Sequence, residues 1–304
     1  MNILVTGASG LLGRAVIREL AKNDRYSVTG TAFSRARATL ERLDLTDTAA
    51  VRKYVKALRP DMIIHTAAER RPDVSQKHPE KTTALNVAAT RTLAAAARDT
   101  GAFILYMSTD YVFDGTAPPY SPHATPNPLN LYGRSKRDGE VAVWDETSDA
   151  CVLRVPVLYG EVETLSESPI TVIAENLIHA GPSGTVQKTD NWAVRYPTYV
   201  GDVARVIHGI SEHRMNHPGF YGTYHWSGNE AFTKYTMARV IAKIIGIPGK
   251  CVQPDDGPPA GAPRPKDSHL DCSELESIRF AESTRFTERT LFEEQIALVL
   301  KPFL

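Results

Sequence analysis

A glycine-rich segment near the start of the chain, residues 6–13 with the sequence TGASGLLG, constrains the fold more than any other feature. The apolar run Ile3–Val5 precedes it, and apolar residues at helical spacing follow it. This order predicts a strand, a tight turn and a helix. In such a turn Gly7 permits the bend, Gly10 lets a phosphate approach the backbone, and Gly13 lets the helix pack closely on the strand.

The glycine spacing leaves two interpretations open. It is G-x-x-G-x-x-G and not the more usual G-x-G-x-x-G, so an ordinary turn between a strand and a helix is one of them. A dinucleotide-binding turn is the other, and we favour it because the new helix offers free N–H groups and its positive dipole end to a pyrophosphate. The segment therefore predicts a dinucleotide site at the first turn of the first helix.

The bulk composition excludes several classes of function. The 304 residues carry 35 basic and 35 acidic side chains, so no net field favours nucleic acid or a membrane surface. No apolar run reaches transmembrane length, and the first strand begins so close to Met1 that no signal peptide fits before it. Three cysteines without a C-x-x-C pair are typical of reduced thiols. We therefore expect a cytoplasmic protein with neither nucleic-acid nor membrane partners.

Strand and helix signals alternate over the first half of the chain. Apolar runs predict strands at Val28–Phe33, Met62–Thr66, Phe103–Thr109 and Cys151–Val155. Helical spacing predicts helices between them, at Ala49–Leu58, at Thr83–Asp99 and from Asn130 to Val143. Such alternation is typical of the α/β class, and it predicts a Rossmann-type doubly wound parallel sheet.

The alternation becomes irregular after Pro156, which predicts a change of domain. We expect a dinucleotide-binding domain over residues 1–155 and a smaller C-terminal substrate lobe over residues 156–304. A segment from about 190 to 228 is expected to return to the first domain. Residues 181–189 and the proline- and glycine-dense stretch 255–265 are expected to be loops.

The residues after the second predicted strand bear on the choice of dinucleotide. In this fold an acidic residue at that position hydrogen-bonds the free 2′-hydroxyl of NAD. This chain has Arg35 and Arg37 there, and no acid. Guanidinium groups suit the 2′-phosphate of NADP, although two solvated surface arginines are the alternative.

A tyrosine and a lysine at helical spacing suggest a catalytic pair. Tyr132 and Lys136 lie four residues apart at the start of a predicted helix, so their side chains share one face. A nearby ammonium lowers the pKa of a phenol, and such a tyrosine can pass a proton to or from a carbonyl oxygen while hydride moves. Thr109, at the carboxyl end of a predicted core strand, can steady that oxygen. The Y-x-x-x-K spacing alone also occurs by chance, but with the glycine turn it predicts a reductase-type set.

Other chemistry-bearing residues receive structural interpretations. His65 lies in an apolar strand and His225 beside Trp226, and we expect both histidines to be packed core residues. Glu161 and Glu163 form a pair of carboxylates that could hold a divalent ion, but we favour the interpretation that they lie in a solvated loop. No metal site is predicted.

One cluster in the expected substrate lobe suits an anionic small molecule. Trp192, Arg195 and Tyr196 lie close together in the sequence. An arginine with aromatic neighbours can clamp a phosphorylated or nucleotide-like ligand. These residues are therefore candidates for contacts with a small-molecule substrate.

Several blocks of the sequence resemble a known family. Residues 6–13, Ser108–Phe113 and Tyr132-x-x-x-Lys136 are similar to extended short-chain dehydrogenase/reductases of the dTDP-4-dehydrorhamnose reductase type. A closer resemblance is to the regulatory β subunit family of methionine adenosyltransferase. It rests on blocks between residue 3 and about residue 275, namely Ala67–Val74, Pro128–Gly133, Leu158–Glu163, His225–Glu230, Arg264–Pro265 and Leu270–Ser273.

The resemblance implies an NADP(H)-binding protein with a cleft between the sheet and the C-terminal lobe. By position, the family's cofactor contacts fall on Ser9, Gly10, Leu11, Leu12, Phe33, Ser34, Arg35, Asp44, Leu45, Thr66, Arg70, Tyr132 and Leu158. Further cofactor contacts are expected from the motifs described above. They are Gly7 and Gly13 of the glycine turn, Arg37 of the arginine pair, Ala67 and Ala68 at a strand end, and Lys136 on the helix face.

Two functions follow from the resemblance. The β-subunit blocks imply a partner of a methionine adenosyltransferase catalytic subunit in S-adenosylmethionine synthesis. The family's animal members carry an N-terminal extension and a basic, aromatic tail that resembles a docking peptide. This chain ends at Lys301–Leu304, where that tail would begin, which counts against the partnership. The alternative is an NADPH-dependent reductase of a carbonyl substrate, such as a dTDP-4-keto-6-deoxy sugar or a secondary metabolite, that uses Thr109, Tyr132 and Lys136.

Overall fold

A parallel sheet forms the centre of the molecule, as the alternating sequence pattern predicts. The computed structural model describes residues 1–36, 39–180, 185–278 and 288–304. Its strands, in chain order, are β1 (Asn2–Thr6), β2 (Ser27–Ala32), β3 (Glu41–Arg42), β4 (Met62–His65), β5 (Phe103–Thr109), β6 (Ala150–Val155), β7 (Leu158–Tyr159), β8 (Gln187–Asp190), β9 (Thr198–Tyr199), β10 (Gly222–His225) and β11 (Val252–Asp255).

Within the described residues, the main sheet has seven strands in the order β10-β6-β5-β4-β1-β2-β3. Each strand is parallel to the strands beside it. Thr6 of β1 pairs with His65 of β4 in this register. The strand order reverses at this pair, since β2 and β3 lie on the β1 side and β5, β6 and β10 lie on the β4 side. Ligands of doubly wound folds bind outside the carboxyl ends of the strands at such a switch point. The predicted fold class is confirmed.

Helices connect the strands and cover both faces of the sheet. In chain order they are α1 (Leu11–Leu20), α2 (Thr48–Leu58), α3 (Pro72–Lys77), α4 (Pro79–Thr83), α5 (Ala89–Thr100), α6 (Leu131–Glu146), α7 (Thr171–Ala180), α8 (Val200–Asn216), α9 (Lys234–Ile244), α10 (Ser273–Ser277) and α11 (Phe292–Leu300). A π-helical turn at Ala84–Ala88 joins α4 to α5. Among the described ranges, no helix has the length and apolarity that crossing a membrane requires.

Side-chain caps explain where two of the helices begin. The Asp47 carboxylate accepts a hydrogen bond from the amide of Ala50 at 3.0 Å at the start of α2. The side-chain oxygen of Asn130 accepts one from the amide of Gly133 at 2.9 Å at the start of α6. Such caps satisfy amides that the helix itself leaves unbonded. The cap at Asn130 sets the register of α6 and so positions the predicted catalytic pair on it.

The strands divide their apolar side chains between two cores. Ile3 and Val5 of β1 lie in the core under α1 and α8, whereas Leu4 lies in the opposite core under α2 and α5. All three side chains are at most 1% exposed. Burial on both faces explains why the central strands read as continuous apolar runs.

The second half of the chain adds to the sheet and also forms a core of its own. Helix α8 packs on the same core as α1, and β10 pairs with β6. Helices α7, α9 and α11 share a further apolar cluster. The sequence predicts a loop over residues 181–189, of which residues 181–184 lie outside the described ranges. The prediction is wrong for Gln187–Thr189, which lie in β8 and pair with β11. This polar stretch shows no apolar alternation, so a pairing about 65 residues away decides its structure.

Candidate cofactor and catalytic site

The glycine turn lies where β1, α1 and the residues after β4 meet. Gly7 has a φ of +71°, and a Cβ there would lie 2.7 Å from the amide nitrogen of Ala67. A Cβ on Gly13 would lie 2.3 Å from the carbonyl oxygen of Gly7. Neither position accepts a side chain, because carbon contacts are normally about 3.5–4 Å long. The glycines therefore bring α1 close to the turn, and the turn close to Ala67, one of the predicted small residues.

The first turn of α1 presents features that suit an anion. Gly10 is its N-cap and makes no side-chain cap bond, and Leu11 and Leu12 follow it in the helix. Helix N–H groups and the positive dipole end bind phosphate well. A cavity of about 250 Å³ lies beside this turn, and Ser9, Arg14 and Arg35 are among its lining residues. The glycine approach and these guanidinium groups fit the phosphates of a dinucleotide.

Three arginines converge on Glu167, in the connection between β7 and α7. Arg14 donates to its carboxylate at 2.7 Å, and Arg35 contacts the same carboxylate. Arg70 donates to the carbonyl oxygen of Glu167. The structure thus brings together Arg35 and Arg70, two predicted cofactor contacts that lie in different connections of the chain.

Sequence reasoning missed Arg14 and Glu167 as members of this cluster. The available signal for Arg14 was its position directly after Gly13, near the start of the helix that follows the glycine turn. Glu167 carried no local signal, because it lies 153 residues from Arg14 and 132 residues from Arg35. Only the tertiary fold brings these side chains together.

The predicted contacts after β2 are accessible from solvent. Phe33 is 52% exposed, and the guanidinium carbon of Arg42 lies 5.4 Å from the centroid of its ring. Ser34, the next residue, is also exposed. Arg37 lies outside the described residues, so its predicted phosphate contact stays a prediction.

Four further predicted contacts lie near the carboxyl ends of strands. Asp44 and the buried Leu45 follow β3, Thr66 follows β4, and Leu158 lies in β7. The Asp44 carboxylate accepts the amide of the residue two positions on at 2.9 Å. The Thr66 hydroxyl donates to the last carbonyl group of β1 at 2.7 Å. Parallel pairing gathers the segments after β3 and β4 at one edge of the main sheet, whereas β7 pairs with β9 in a separate two-stranded sheet.

The three predicted catalytic residues come from β5 and α6. Thr109 ends β5, and its hydroxyl accepts the amide of Tyr111 at 3.2 Å. Tyr132 lies in the first turn of α6 with its ring centroid 5.8 Å from that of Tyr111. Lys136 lies one turn later, is 3% exposed, and holds its ammonium 4.0 Å from the centroid of the Tyr106 ring.

Burial controls the charge of this catalytic set. It raises the pKa of the Tyr132 phenol well above the ordinary value, and a hydrogen bond with Thr109 opposes the rise only in part. Burial also lowers the pKa of Lys136 to about 7, while the Glu140 carboxylate opposes that change. Lost solvation therefore raises the pKa of the phenol, which the sequence predicts to be lowered by the ammonium. At neutral pH Tyr132 is a neutral phenol with a proton to donate.

A buried ion pair supports α6 behind Lys136. Arg154 of β6 donates to the Glu140 carboxylate at 2.8 Å, and both side chains are at most 4% exposed. Ser108 of β5 donates to the same carboxylate at 2.6 Å. Sequence reasoning missed this support, although an acid four positions after Lys136 on a predicted helix was a usable signal.

The arginine predicted to clamp a substrate has main-chain partners. The Arg195 guanidinium donates to the carbonyl oxygen of Pro265 at 3.0 Å and lies 5.5 Å from the Tyr111 ring centroid. Tyr196 stacks on His269 with ring centroids 4.3 Å apart. Trp192 is partly buried nearby in the chain. These contacts tie the segment to Pro265 and His269 and place it beside Tyr111, whose ring contacts that of Tyr132.

The histidines that the sequence assigns to the core are buried there. The Nδ1 of His65 is hydrogen-bonded to the Thr6 hydroxyl at 2.7 Å, and its Nε2 is hydrogen-bonded to the Thr90 hydroxyl at 3.0 Å. Burial lowers the pKa of His65 and of His225 to about 3, so both are neutral at neutral pH. Over the described part of the chain, no three histidine, cysteine or acidic side chains come together as metal ligands could.

Comparison with known proteins gives relatives of two kinds. Methionine adenosyltransferase 2 subunit beta of Xenopus tropicalis is 49% identical over 276 residues, which cover 90% of this chain and 81% of that protein. A probable dTDP-4,6-dihydroxy-2-methyloxan-3-one 4-ketoreductase of Streptomyces antibioticus is 31% identical over 271 residues, covering 88% and 85%.

Structure comparison and a family model agree with these similarities. A dTDP-4-dehydrorhamnose reductase from Bacillus anthracis, solved in complex with NADP, has a TM-score of 0.79 at 26% identity and covers 99% of this chain and 98% of its own. The family model described as the RmlD substrate binding domain matches residues 1–297. The chain therefore belongs to this RmlD-like family of extended short-chain dehydrogenase/reductases, which its similarity to methionine adenosyltransferase 2 β subunits also supports.

Proposed function

We propose that this protein binds NADP(H) and acts as a β-type regulatory subunit of methionine adenosyltransferase, in cytoplasmic S-adenosylmethionine synthesis. The observation that carries the proposal is the 49% identity to a methionine adenosyltransferase 2 subunit beta over 90% of the chain. Identity of this extent covers both the sheet and the C-terminal lobe, so it supports a shared partner as well as a shared fold.

The geometry of the cleft supports NADP(H) as the ligand. The glycine turn admits a pyrophosphate, and the cavity beside it is lined by Arg14 and Arg35. Arginine pairs bind phosphate through charge-assisted hydrogen bonds. The Bacillus anthracis relative, which was solved with NADP, shares 26% identity over 99% of this chain.

Association with a methionine adenosyltransferase catalytic subunit tests the regulatory role. The purified chain and the catalytic subunit from the same source are mixed at micromolar concentration, with and without NADP⁺, and analysed by size-exclusion chromatography with light scattering. We expect a complex that carries both proteins. The Bacillus anthracis dTDP-4-dehydrorhamnose reductase, which has the same fold, is the matched negative control. Separate elution at every concentration would exclude the regulatory role.

Carbonyl reduction is a second candidate function, and the complete catalytic set favours it. Thr109, Tyr132 and Lys136 all lie on the β5 and α6 side of the cleft. NADPH, when bound, supplies a hydride for the carbonyl carbon. Tyr132 donates its proton to the carbonyl oxygen, Thr109 holds that oxygen, and Lys136 stabilises the phenolate that is left.

Replacing the proton donor tests this second function. Tyr132→Phe removes the hydroxyl and keeps the ring, so we expect kcat for reduction of a dTDP-4-keto-6-deoxy sugar to fall about 10²- to 10⁴-fold. The affinity for NADP⁺, measured by calorimetry, should change by no more than about threefold. Tyr111→Phe, on the neighbouring ring, is the matched control and should keep most of the activity. Unchanged turnover in Tyr132→Phe would remove the assigned role.

A further inference from the structure

The Glu167 side chain has an unusual set of partners. It belongs to residues 161–168, between β7 and α7, which we call the Glu167 loop. Its side chain is only 10% exposed. Arg14 donates to both carboxylate oxygens, at 3.2 Å and 2.7 Å, and Arg35 contacts one of them. The amide of Glu163 donates to the same carboxylate at 2.9 Å.

Two further contacts tie the main chain of the Glu167 loop to cationic groups of the cleft. Arg70 donates to the carbonyl oxygen of Glu167. Arg14 also donates to the carbonyl oxygen of Glu161 at 3.2 Å. Arginines at the glycine helix, after β2 and after β4 therefore all hold this one loop.

The carboxylate is charged under all ordinary conditions. Burial by itself would raise the pKa of Glu167, but hydrogen bonds from Arg14, the Glu163 amide and Arg35 lower it to about 2. An ionised and partly buried carboxylate attracts guanidinium groups, and water screens its pair with Arg14, which is 19% exposed, less than its pair with Arg35, which is 48% exposed. Glu167 thus satisfies Arg14 and Arg35 as a phosphate would.

The position of these arginines is the position that a dinucleotide needs. Arg35 follows β2, and in this fold the adenosine ribose lies at the end of that strand. Arg14, Arg35 and Glu163 all line the cavity of about 250 Å³ beside the glycine turn. A phosphate bound in this cavity would contact Arg14 and Arg35, the two guanidinium groups that form ion pairs with Glu167.

We propose that Glu167 is an internal anion that competes with the 2′-phosphate of NADP(H) for Arg14 and Arg35, so that this residue sets cofactor affinity and the choice between NADP(H) and NAD(H). The inference rests on the proposed NADP(H) binding. A 2′-phosphate carries more charge and more acceptor oxygens than one carboxylate, so it displaces Glu167. The 2′-hydroxyl of NAD carries no charge and leaves Glu167 in place.

Binding measurements on Glu167→Gln test the competition. The probes are NADP⁺, NAD⁺ and 2′,5′-ADP, titrated into the full chain by isothermal calorimetry. We expect Glu167→Gln to bind NADP⁺ and 2′,5′-ADP about tenfold more tightly than the unmodified protein, the equivalent of about 1.4 kcal/mol. Its affinity for NAD⁺ should stay within about twofold. Unchanged or weaker binding of 2′,5′-ADP by Glu167→Gln overturns the proposal.

Matched variants separate this proposal from the function on which it rests. Glu175→Gln makes the same charge change in α7, beside a neighbouring cavity that Glu163 also lines, and should leave all three affinities unchanged. Arg35→Ala should weaken NADP⁺ and 2′,5′-ADP far more than NAD⁺. If the unmodified protein binds neither NADP⁺ nor 2′,5′-ADP, the proposed function itself fails. If it binds both and Glu167→Gln changes nothing, only the competition fails.

Hydrogen exchange gives a readout that does not depend on any variant. Displacement of the carboxylate breaks the hydrogen bond that the amide of Glu163 donates to it at 2.9 Å. Saturating 2′,5′-ADP should therefore speed exchange in a peptide that covers residues 161–168. NAD⁺ at saturation should leave that peptide unchanged. Slower or equal exchange with 2′,5′-ADP contradicts displacement, whatever the affinities show.

Discussion

At the scale of single residues, loss of water decides the chemistry of the cleft. Lys136 is 3% exposed, and burial lowers its pKa to about 7 against the attraction of Glu140. The same cause acts in the opposite direction on Tyr132, because its charged form is the phenolate. One environment therefore favours a neutral phenol and a lysine that titrates near neutrality.

The buried lysine predicts a pH dependence of stability. Its pKa is about 7 in the folded protein and about 10.4 in the unfolded chain, so between these values the unfolded chain binds more protons. The free energy of unfolding should therefore rise from pH 7.5 to pH 9.5, by up to about 1.4 kcal/mol per pH unit from this residue. Urea denaturation at the two pH values measures the rise.

Two variants isolate the contribution of this one residue. Lys136→Met should lose the rise that the buried ammonium causes, so its pH dependence is flatter than that of the unmodified protein. Lys53→Met, on the exposed side of α2, makes the same chemical change and should keep the full rise. If the free energy of unfolding rises equally with pH in the unmodified protein and in Lys136→Met, the ammonium of Lys136 is solvated and the prediction is wrong.

At the scale of elements, two helices approach the sheet at distances that only glycine permits. A Cβ on Gly13 of α1 would lie 2.3 Å from the carbonyl oxygen of Gly7. A Cβ on Gly139 of α6 would lie 2.2 Å from the hydroxyl oxygen of Tyr106. The helices that carry the last glycine of the predicted cofactor turn and the predicted catalytic pair are therefore held close to β1 and β5.

A methyl group at the first of these contacts should separate α1 from β1. We expect Gly13→Ala to lower the free energy of unfolding by about 1–3 kcal/mol, the usual cost of overpacking. It should also weaken NADP⁺ binding, because the glycine turn moves with the helix. Chemical denaturation measures the first effect and calorimetry the second. Gly219→Ala is the control, since no atom lies within 4 Å of its added Cβ, and a loss equal to that of Gly13→Ala would count against the close contact.

At the scale of the whole molecule, hydrogen bonds within the second half of the chain join the segment that begins α11 to elements packed on or paired with the sheet. Asp202, in the first turn of α8, accepts the amide of Thr290 at 2.8 Å and its hydroxyl at 2.7 Å. Glu230 accepts the amide of Phe292 at 2.7 Å. Because α8 packs on the sheet and Phe292 begins α11, these bonds join the two apolar cores.

Removal of the Asp202 carboxylate should loosen this junction. Asp202 is 3% exposed, so Asp202→Ala leaves the amide of Thr290 without its acceptor. We expect the free energy of unfolding to fall by about 2–3 kcal/mol. Thermal and urea unfolding measure the loss. Asp24→Ala serves as the control, because Asp24 is an exposed acid between α1 and β2. A loss below 0.5 kcal/mol, roughly that of a surface substitution, would contradict the role of this bond.

The elements of the sheet were predictable because their signals are local. Apolar runs, helical spacing and caps at Asp47 and Asn130 act over a few residues, and the strands and helices they indicate are present. The polar strand β8 was missed because its partner β11 lies far along the chain. The same distinction applies to the site, where the glycine turn is a local motif and the Glu167 cluster is not.

The sequence by itself determined the parallel sheet, the position of its glycine turn and the helix that carries Tyr132 and Lys136, since each depends on short-range periodicity and backbone geometry. The tertiary structure decided which charges meet and which lose their water. It brought Glu167 to Arg14 across 153 residues and buried Lys136 against Tyr106. Distance and desolvation set the strength of charge interactions, and both arise only when the chain is folded.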